Sequence, residues 1–249
     1  MIAKRPKDIR GLIEAGKVAA ETLSEMSKRV SPGTTTIELD RIADGIFARY
    51  GAESAPRYFY NFPGATCISI APVAAHGIPG DCRIQEGDLV NIDVSVVLKG
   101  FCADTGMTIA VEPVTEAAQK VCETATIALA HVIQTSAPGM RVSDIGRMIE
   151  TTARDHGMST IKNLSGHGLG KKLHEPPRNI LNFFAESEKT VLAEGQVIAV
   201  EPFISSNDEY VQDTGDGWGL TASEGVLVAQ YEHTLILMKG ETIITTRRA

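Results

Sequence analysis

Two aspartates stand eleven residues apart in the run NIDVSVVLKGFCADTG, Asn91 to Gly106, each in an apolar setting. From Val90 to Val96 the residues alternate, with Val90, Ile92, Val94 and Val96 on one face and Asn91, Asp93 and Ser95 on the other, the period of a strand. Lys99-Gly100 supplies a tight turn, and the chain returns through a second strand. A two-residue loop places Asp93 and Asp104 on the same face. Centred on Leu98-Lys99 it makes them direct partners; one residue further on it makes them diagonal neighbours. A three-residue loop without a bulge separates them. Carboxylates that close repel each other, so either one takes a proton or a cation lies between them. A lone aspartate in a strand is ordinarily a solvated surface residue, so the cation reading needs further partners.

Those partners are present. Glu201 interrupts the apolar run VIAVEPF, and Glu232 interrupts VLVAQYEHTLILM. His167 sits in SGHGLG, where three glycines leave room around an imidazole. Four acids and one imidazole form an oxygen-rich set with a single nitrogen ligand, suited to divalent Mn, Fe, Co or Zn. Four carboxylates match the charge of two divalent cations, and without cations such a cluster is very costly to bury. A metal pair also activates a shared water as a nucleophile.

These residues must be positioned by a larger frame. Apolar spacing predicts helices over 7–30 and 36–50, the second closed by Gly51, and two more over 114–136 and 142–156. Residues 52–66, rich in aromatics, Gly and Pro, read as a loop. Strands are predicted at 67–71, 88–97, 101–111, 196–204, 208–212, 225–237 and 242–246. The order helix, helix, strands occurs twice. Ser31-Pro32-Gly33 corresponds to Ala137-Pro138-Gly139 and EGDLVNID to EGQVIAVE, at offsets of 106 and 108 residues. This points to two α+β halves sharing one sheet, with Glu201 at the position of Asp93.

Composition bounds the function. A chain of 249 residues, 43% hydrophobic and 22% charged, buries a sizeable core. Its net charge of −7 argues against nucleic acid as the main partner. No apolar stretch is long enough to span a membrane, no secretion signal is read at the N-terminus, and the four cysteines lack zinc-finger spacing. Reduced thiols and a cytoplasmic location are expected. Gly166, Gly168 and Gly170 lack the strand–loop–helix order of a phosphate loop.

With these residues assembled, the chain resembles the type I methionine aminopeptidases over nearly its whole length. The motifs are HGIP at His76, NIDV at Asp93, ADTG at Asp104, GHGLG at His167, HEPP at His174, VEPF at Glu201 and QYEHT at Glu232. The resemblance implies the α+β pita-bread fold, two pseudo-symmetric halves around a curved antiparallel sheet. It implies a single catalytic domain, residues 1–249, with halves of about 1–112 and 113–249. Two divalent metal ions would be held by Asp93, Asp104, His167, Glu201 and Glu232, with Asp104 and Glu232 bridging. Glu201 would accept the proton of the attacking water, His174 would stabilise the tetrahedral intermediate, and His76 would contact the scissile amide. Phe59, Phe62, Cys67 and Trp218 map onto the methionine pocket, with Leu173 at its edge. The implied substrates are N-terminal methionyl peptides with a small second residue, and nascent chains, free or at the ribosome, cleaved by a monomer. A histidine beside Gly or Pro is ordinarily a turn residue, so the roles of His76 and His174 rest on the motif match. Departures include Ala71-Pro72 where Asn-Glu is common, Leu173 in place of an aromatic, and Phe59 and Phe62 where tyrosines are frequent. Two other functions stay open: a Xaa-Pro peptidase of the same fold and a binding protein without metals.

Overall fold

The computed structural model describes residues 1–248. Pro6 starts α1 (Pro6–Ser27), where its missing N–H costs nothing and its fixed φ suits the first turn. Thr35 and Glu38 form a reciprocal capping box that starts α2 (Thr36–Tyr50), and Gly51, at φ 63°, ends it in the left-handed conformation. The predicted loop over 52–66 contains β1 (Glu53–Ser54) and a short helix, α3 (Ala55–Tyr60), capped by the Ser54 hydroxyl and stopped at Asn61. Then come β2 (Cys67–Ile70), β3 (Val73–Ala75) and the long hairpin β4 (Leu89–Leu98) and β5 (Phe101–Ala110). The second half opens on α4 (Glu116–Thr135) and α5 (Val142–Asp155). It continues through β6 (Ser159–Thr160), β7 (Ser165–Gly168), β8 (Glu175–Leu181), β9 (Val197–Val200) and β10 (Phe203–Ser205). It ends with β11 (Gln212–Asp213), β12 (Leu220–Thr221), β13 (Val228–Gln230), β14 (His233–Met238) and β15 (Glu241–Ile244).

Two main sheets carry the fold: β4 flanked by β5 and by β1 and β2, and a five-stranded sheet ordered β15-β14-β9-β7-β8. Each has its own helical backing. Leu23, Leu39, Phe47, Ile92 and Val94 pack α1 and α2 on the first, and Val121, Ile145, Ile149, Ile198 and Leu235 pack α4 and α5 on the second. Apolar faces of helix and sheet are buried together, which is what holds such layers.

The two sheets meet at β5 and the β13–β14 junction. Met107 bridges Tyr231, and the Glu232 N–H donates to the Gly106 carbonyl at 3.0 Å. Beyond that point a side chain replaces the ladder. The Thr234 hydroxyl accepts from the Asp104 N–H and donates to the Asp104 carbonyl, both at 2.8 Å. Sequence reasoning expects continuous strands over 196–204 and 225–237. Both are broken, at Glu201-Pro202 and at Tyr231-Glu232. Pro202 has no N–H to continue a ladder, so Glu201 stands where the backbone leaves the sheet; Glu232 stands at the gap between β13 and β14, where its N–H is taken by Gly106 of β5. The expected strand at 208–212 is reduced to the two-residue β11.

Candidate metal centre

The β4–β5 turn is Lys99-Gly100, at φ 50° and 74°, the two-residue form with positive φ at both positions. Its register pairs Asp93 with Gly106 and Ser95 with Asp104, so the two aspartates are diagonal neighbours on one face. The Ser95 hydroxyl donates to Asp104 Oδ1 at 2.7 Å. Gly106 opposite Asp93 makes room for Gln230, whose Oε1 would lie only 2.4 Å from a Cβ there. Gln230 cannot swing away freely. It accepts from Asn91 Nδ2 at 2.8 Å and donates to Glu232 Oε2 at 3.0 Å. Gly106→Ala is therefore expected to displace Gln230 and release Glu232. The metal affinity measured by calorimetry should fall about 10-fold or more, as for other losses of a ligand's supporting hydrogen bond. An affinity unchanged within about twofold would remove Gln230 from the support of the site.

His167 projects from β7, opposite Ala199 of β9. Its Nε2 lies 3.6 Å from Asp104 Oδ2 and 3.6 Å from Glu201 Oε1. Its Nδ1 lies 3.1 Å from the Gly168 carbonyl, which can only accept, so Nδ1 carries a proton and Nε2 is the nitrogen that faces the carboxylates and would face a metal. The neighbouring glycines serve a different purpose from the one expected. A Cβ at Gly166 would meet the Ala199 carbonyl oxygen at 2.4 Å, and one at Gly168 the Pro176 carbonyl oxygen at 2.4 Å. They let β8 and β9 approach β7 rather than leave room around the imidazole.

One ligand atom each from Asp104, His167 and Glu232 lies within 4.8 Å of the others, all three residues buried. Asp93 and Glu201 extend the group. Burial, and then the neighbouring acids, push Asp93, Glu201 and Glu232 well above the usual carboxylate range. Burial also acts on Asp104, but the His167 contact and the Ser95 hydroxyl outweigh it and hold this carboxyl low. Asp93 Oδ1 and Glu232 Oε1 are buried with no hydrogen-bond partner. Orphaned carboxyl oxygens in a buried cluster that includes an imidazole nitrogen fit cations of the hard-to-borderline class. The residues present thus suit a pair of divalent metal ions.

A cavity of about 520 Å³ opens beside this cluster. Its apolar wall includes Phe62 and Trp218, packed edge to face at 5.1 Å and 88°, together with buried Cys67 and Leu173. Burial raises the Cys67 thiol well above its ordinary value, so it stays protonated and serves as wall rather than nucleophile. His76, at φ 54°, and His174 line the polar side. Burial, then the neighbouring His167, drops His174 to about 4, so its ring is neutral at pH 7. The expectation for Phe59 is corrected. It is absent from the cavity wall and packs beneath α3 in a core cluster with Cys102 and Leu173. Successive helical residues point about 100° apart, and it is the next residue, Tyr60, that reaches the cavity. Sequence reasoning missed Tyr60, whose hydroxyl lies 2.6 Å from His174 Nδ1. It also missed Ser95 and Leu164, for neither of which a local pattern exists.

Comparison with known proteins agrees with this geometry. The family described as metallopeptidase family M24 matches residues 10–239. A methionine aminopeptidase of Staphylococcus epidermidis is 44% identical over 251 residues, covering 99% of both chains. Methionine aminopeptidase 2 of Bacillus subtilis is 40% identical, covering 99% of this chain and 100% of its own. The crystal structure of a methionine aminopeptidase from Thermotoga maritima superposes over the full length of both chains with a TM-score of 0.95 at 30% identity.

Proposed function

The chain belongs to metallopeptidase family M24, and from that premise we propose that it removes the N-terminal methionine of peptides and nascent proteins whose second residue is small. The observation that carries this reading is the position of an apolar, aromatic-edged recess directly beside the buried acid–imidazole cluster. The fold is the pita-bread arrangement, and the enzyme is a metal-dependent hydrolase acting on peptides.

In this reading Asp93, Asp104, His167, Glu201 and Glu232 would hold two divalent cations. When bound, such a pair supplies positive charge that acidifies a water and stabilises charge building on a carbonyl oxygen. The chain's own groups do the rest. Phe62, Trp218, Cys67 and Leu173 take the methionine side chain, whose flexible thioether packs well on aromatic rings. Glu201 accepts a proton from the attacking water and passes it to the leaving amine. His174 donates toward the carbonyl oxygen, which gains negative charge as its carbon becomes tetrahedral, and His76 steadies the scissile amide. Ribosome-bound nascent chains are natural substrates for such a site. Among the described residues no helix is long and apolar enough to cross a membrane.

The test is release of methionine from Met-Gly-Met by protein reloaded with Mn or Co, beside a Xaa-Pro peptide and a Met peptide with a bulky second residue. Rapid metal-dependent release from Met-Gly-Met alone is expected. Cleavage only of the Xaa-Pro peptide would assign the proline-specific activity instead, and loaded protein that cleaves nothing would leave a binding protein.

A further inference from the structure

The two imidazoles that lie against each other in the site, with ring centroids 4.0 Å apart and planes tilted by 43°, carry different partners on the same atom. His167 Nδ1 meets a backbone carbonyl, which cannot donate. His174 Nδ1 meets the Tyr60 hydroxyl at 2.6 Å. A phenol is a stronger acid than a neutral imidazole N–H, and an imidazole nitrogen a better base than a phenol oxygen, so the O–H···N arrangement is favoured. We propose that Tyr60 is a positioning residue for His174, donating its O–H to Nδ1 and so fixing the ring proton on Nε2. In the metal-loaded protein the pair then holds opposite tautomers. His167 presents a lone pair, as a ligand must, and His174 presents an N–H, as a donor to a developing oxyanion must. The assignment rests on the role given to His174 under the proposed function.

The fold supports Tyr60 firmly. It is the last residue of α3, and Asn61 closes that helix in the left-handed conformation. The Ser54 hydroxyl that caps the helix also donates to the Ala65 carbonyl at 2.7 Å. Arg57, one turn before Tyr60, pairs with Asp40 and Asp44 of α2. Asp40 in turn accepts from the Ala65 and Thr66 N–H groups at 2.9 and 2.8 Å, so both ends of the segment are tied to α2. Phe59, beneath, shares its core cluster with Leu173, the residue before His174. The phenol and the imidazole are thus carried on elements that pack against each other.

The variant Tyr60→Phe keeps the ring and removes the donor. In zinc-loaded protein with labelled histidine, long-range nitrogen–proton spectra distinguish the two neutral tautomers, and the His174→Ala spectrum identifies the His174 signals. Wild type is expected to show His174 as the Nε2–H form, and Tyr60→Phe a mixture. On Met-Gly-Met, kcat should fall about 5- to 10-fold, the scale of one net hydrogen bond, with KM changed less than about twofold. In a His174→Ala background Tyr60→Phe should have no further effect. An unchanged His174 tautomer in Tyr60→Phe, an effect confined to KM, or an equal loss without His174 would each overturn the proposal. Wild-type protein that releases no methionine would sink the proposed function, while the spectra would still decide the tautomer.

Discussion

Glu201→Gln is expected to lower kcat for methionine release by about 10²- to 10⁴-fold, the contribution of a positioned general base, while far-ultraviolet circular dichroism stays that of wild type. Glutamine keeps the volume of the side chain at the point where Pro202 ends β9, so the packing of Val197 to Val200 against β7 and β14 is untouched. What disappears is basicity. Burial, then Asp93 and Asp104, raise the Glu201 carboxyl in the metal-free protein. The amide accepts no proton at any working pH. Because Glu201 is also one of the proposed ligands, the comparison must be made at metal concentrations where calorimetry shows the variant loaded. A loaded variant that keeps kcat within about threefold of wild type would assign the proton transfer to another group.

How much of this site could be read beforehand depends on the range of the interactions that build it. The alternation from Val90 to Val96 and the Lys99-Gly100 turn are local signals, and they place Asp93 and Asp104 on one face, in the diagonal form of the two open registers. Glu201 and Glu232 are legible as single acids in apolar runs. The break after Glu201 is also signalled locally, by Pro202, but the one at Glu232 is not, because it is made by partners far away in the chain. Thr234 replaces the ladder at Asp104 across 130 residues, and Thr105 Oγ1 donates to the Glu232 carbonyl across 127. The pocket shows the same division. Phe62, Cys67 and Trp218 line it. The exchange of Phe59 for Tyr60 depends on the rotation of a helix too short to leave a periodic trace. The glycines beside His167 are visible, but their reason, the close approach of β8 and β9, belongs to the sheet.

Saturating the metal-free protein with a divalent ion is expected to raise its melting temperature, and to raise it more at pH 8 than at pH 6. At a free concentration about 100 times Kd, one bound ion adds about 2.7 kcal/mol, or about 5–10 °C for a chain of this size. The pH trend follows from the carboxyls. Asp93, Glu201 and Glu232 have folded values well above their ordinary ones, chiefly through burial. Between the unfolded value near about 4 and those raised values, the folded metal-free chain keeps protons that the unfolded chain has released. The stability these groups contribute is therefore full below the unfolded value and is lost as pH rises through the folded ones. Asp104, held low by His167 and Ser95, runs the other way, its contribution lost as pH falls, but it stands against three. An ion needs all four acids deprotonated and must displace the retained protons, so its net gain grows as they leave of their own accord. Asp104→Ala removes a carboxylate that contacts His167 and accepts from the Ser95 hydroxyl, and should erase most of the metal-induced rise at either pH. A rise that persists undiminished in this variant, or that is larger at pH 6, would mean the ions bind somewhere other than between the two sheets.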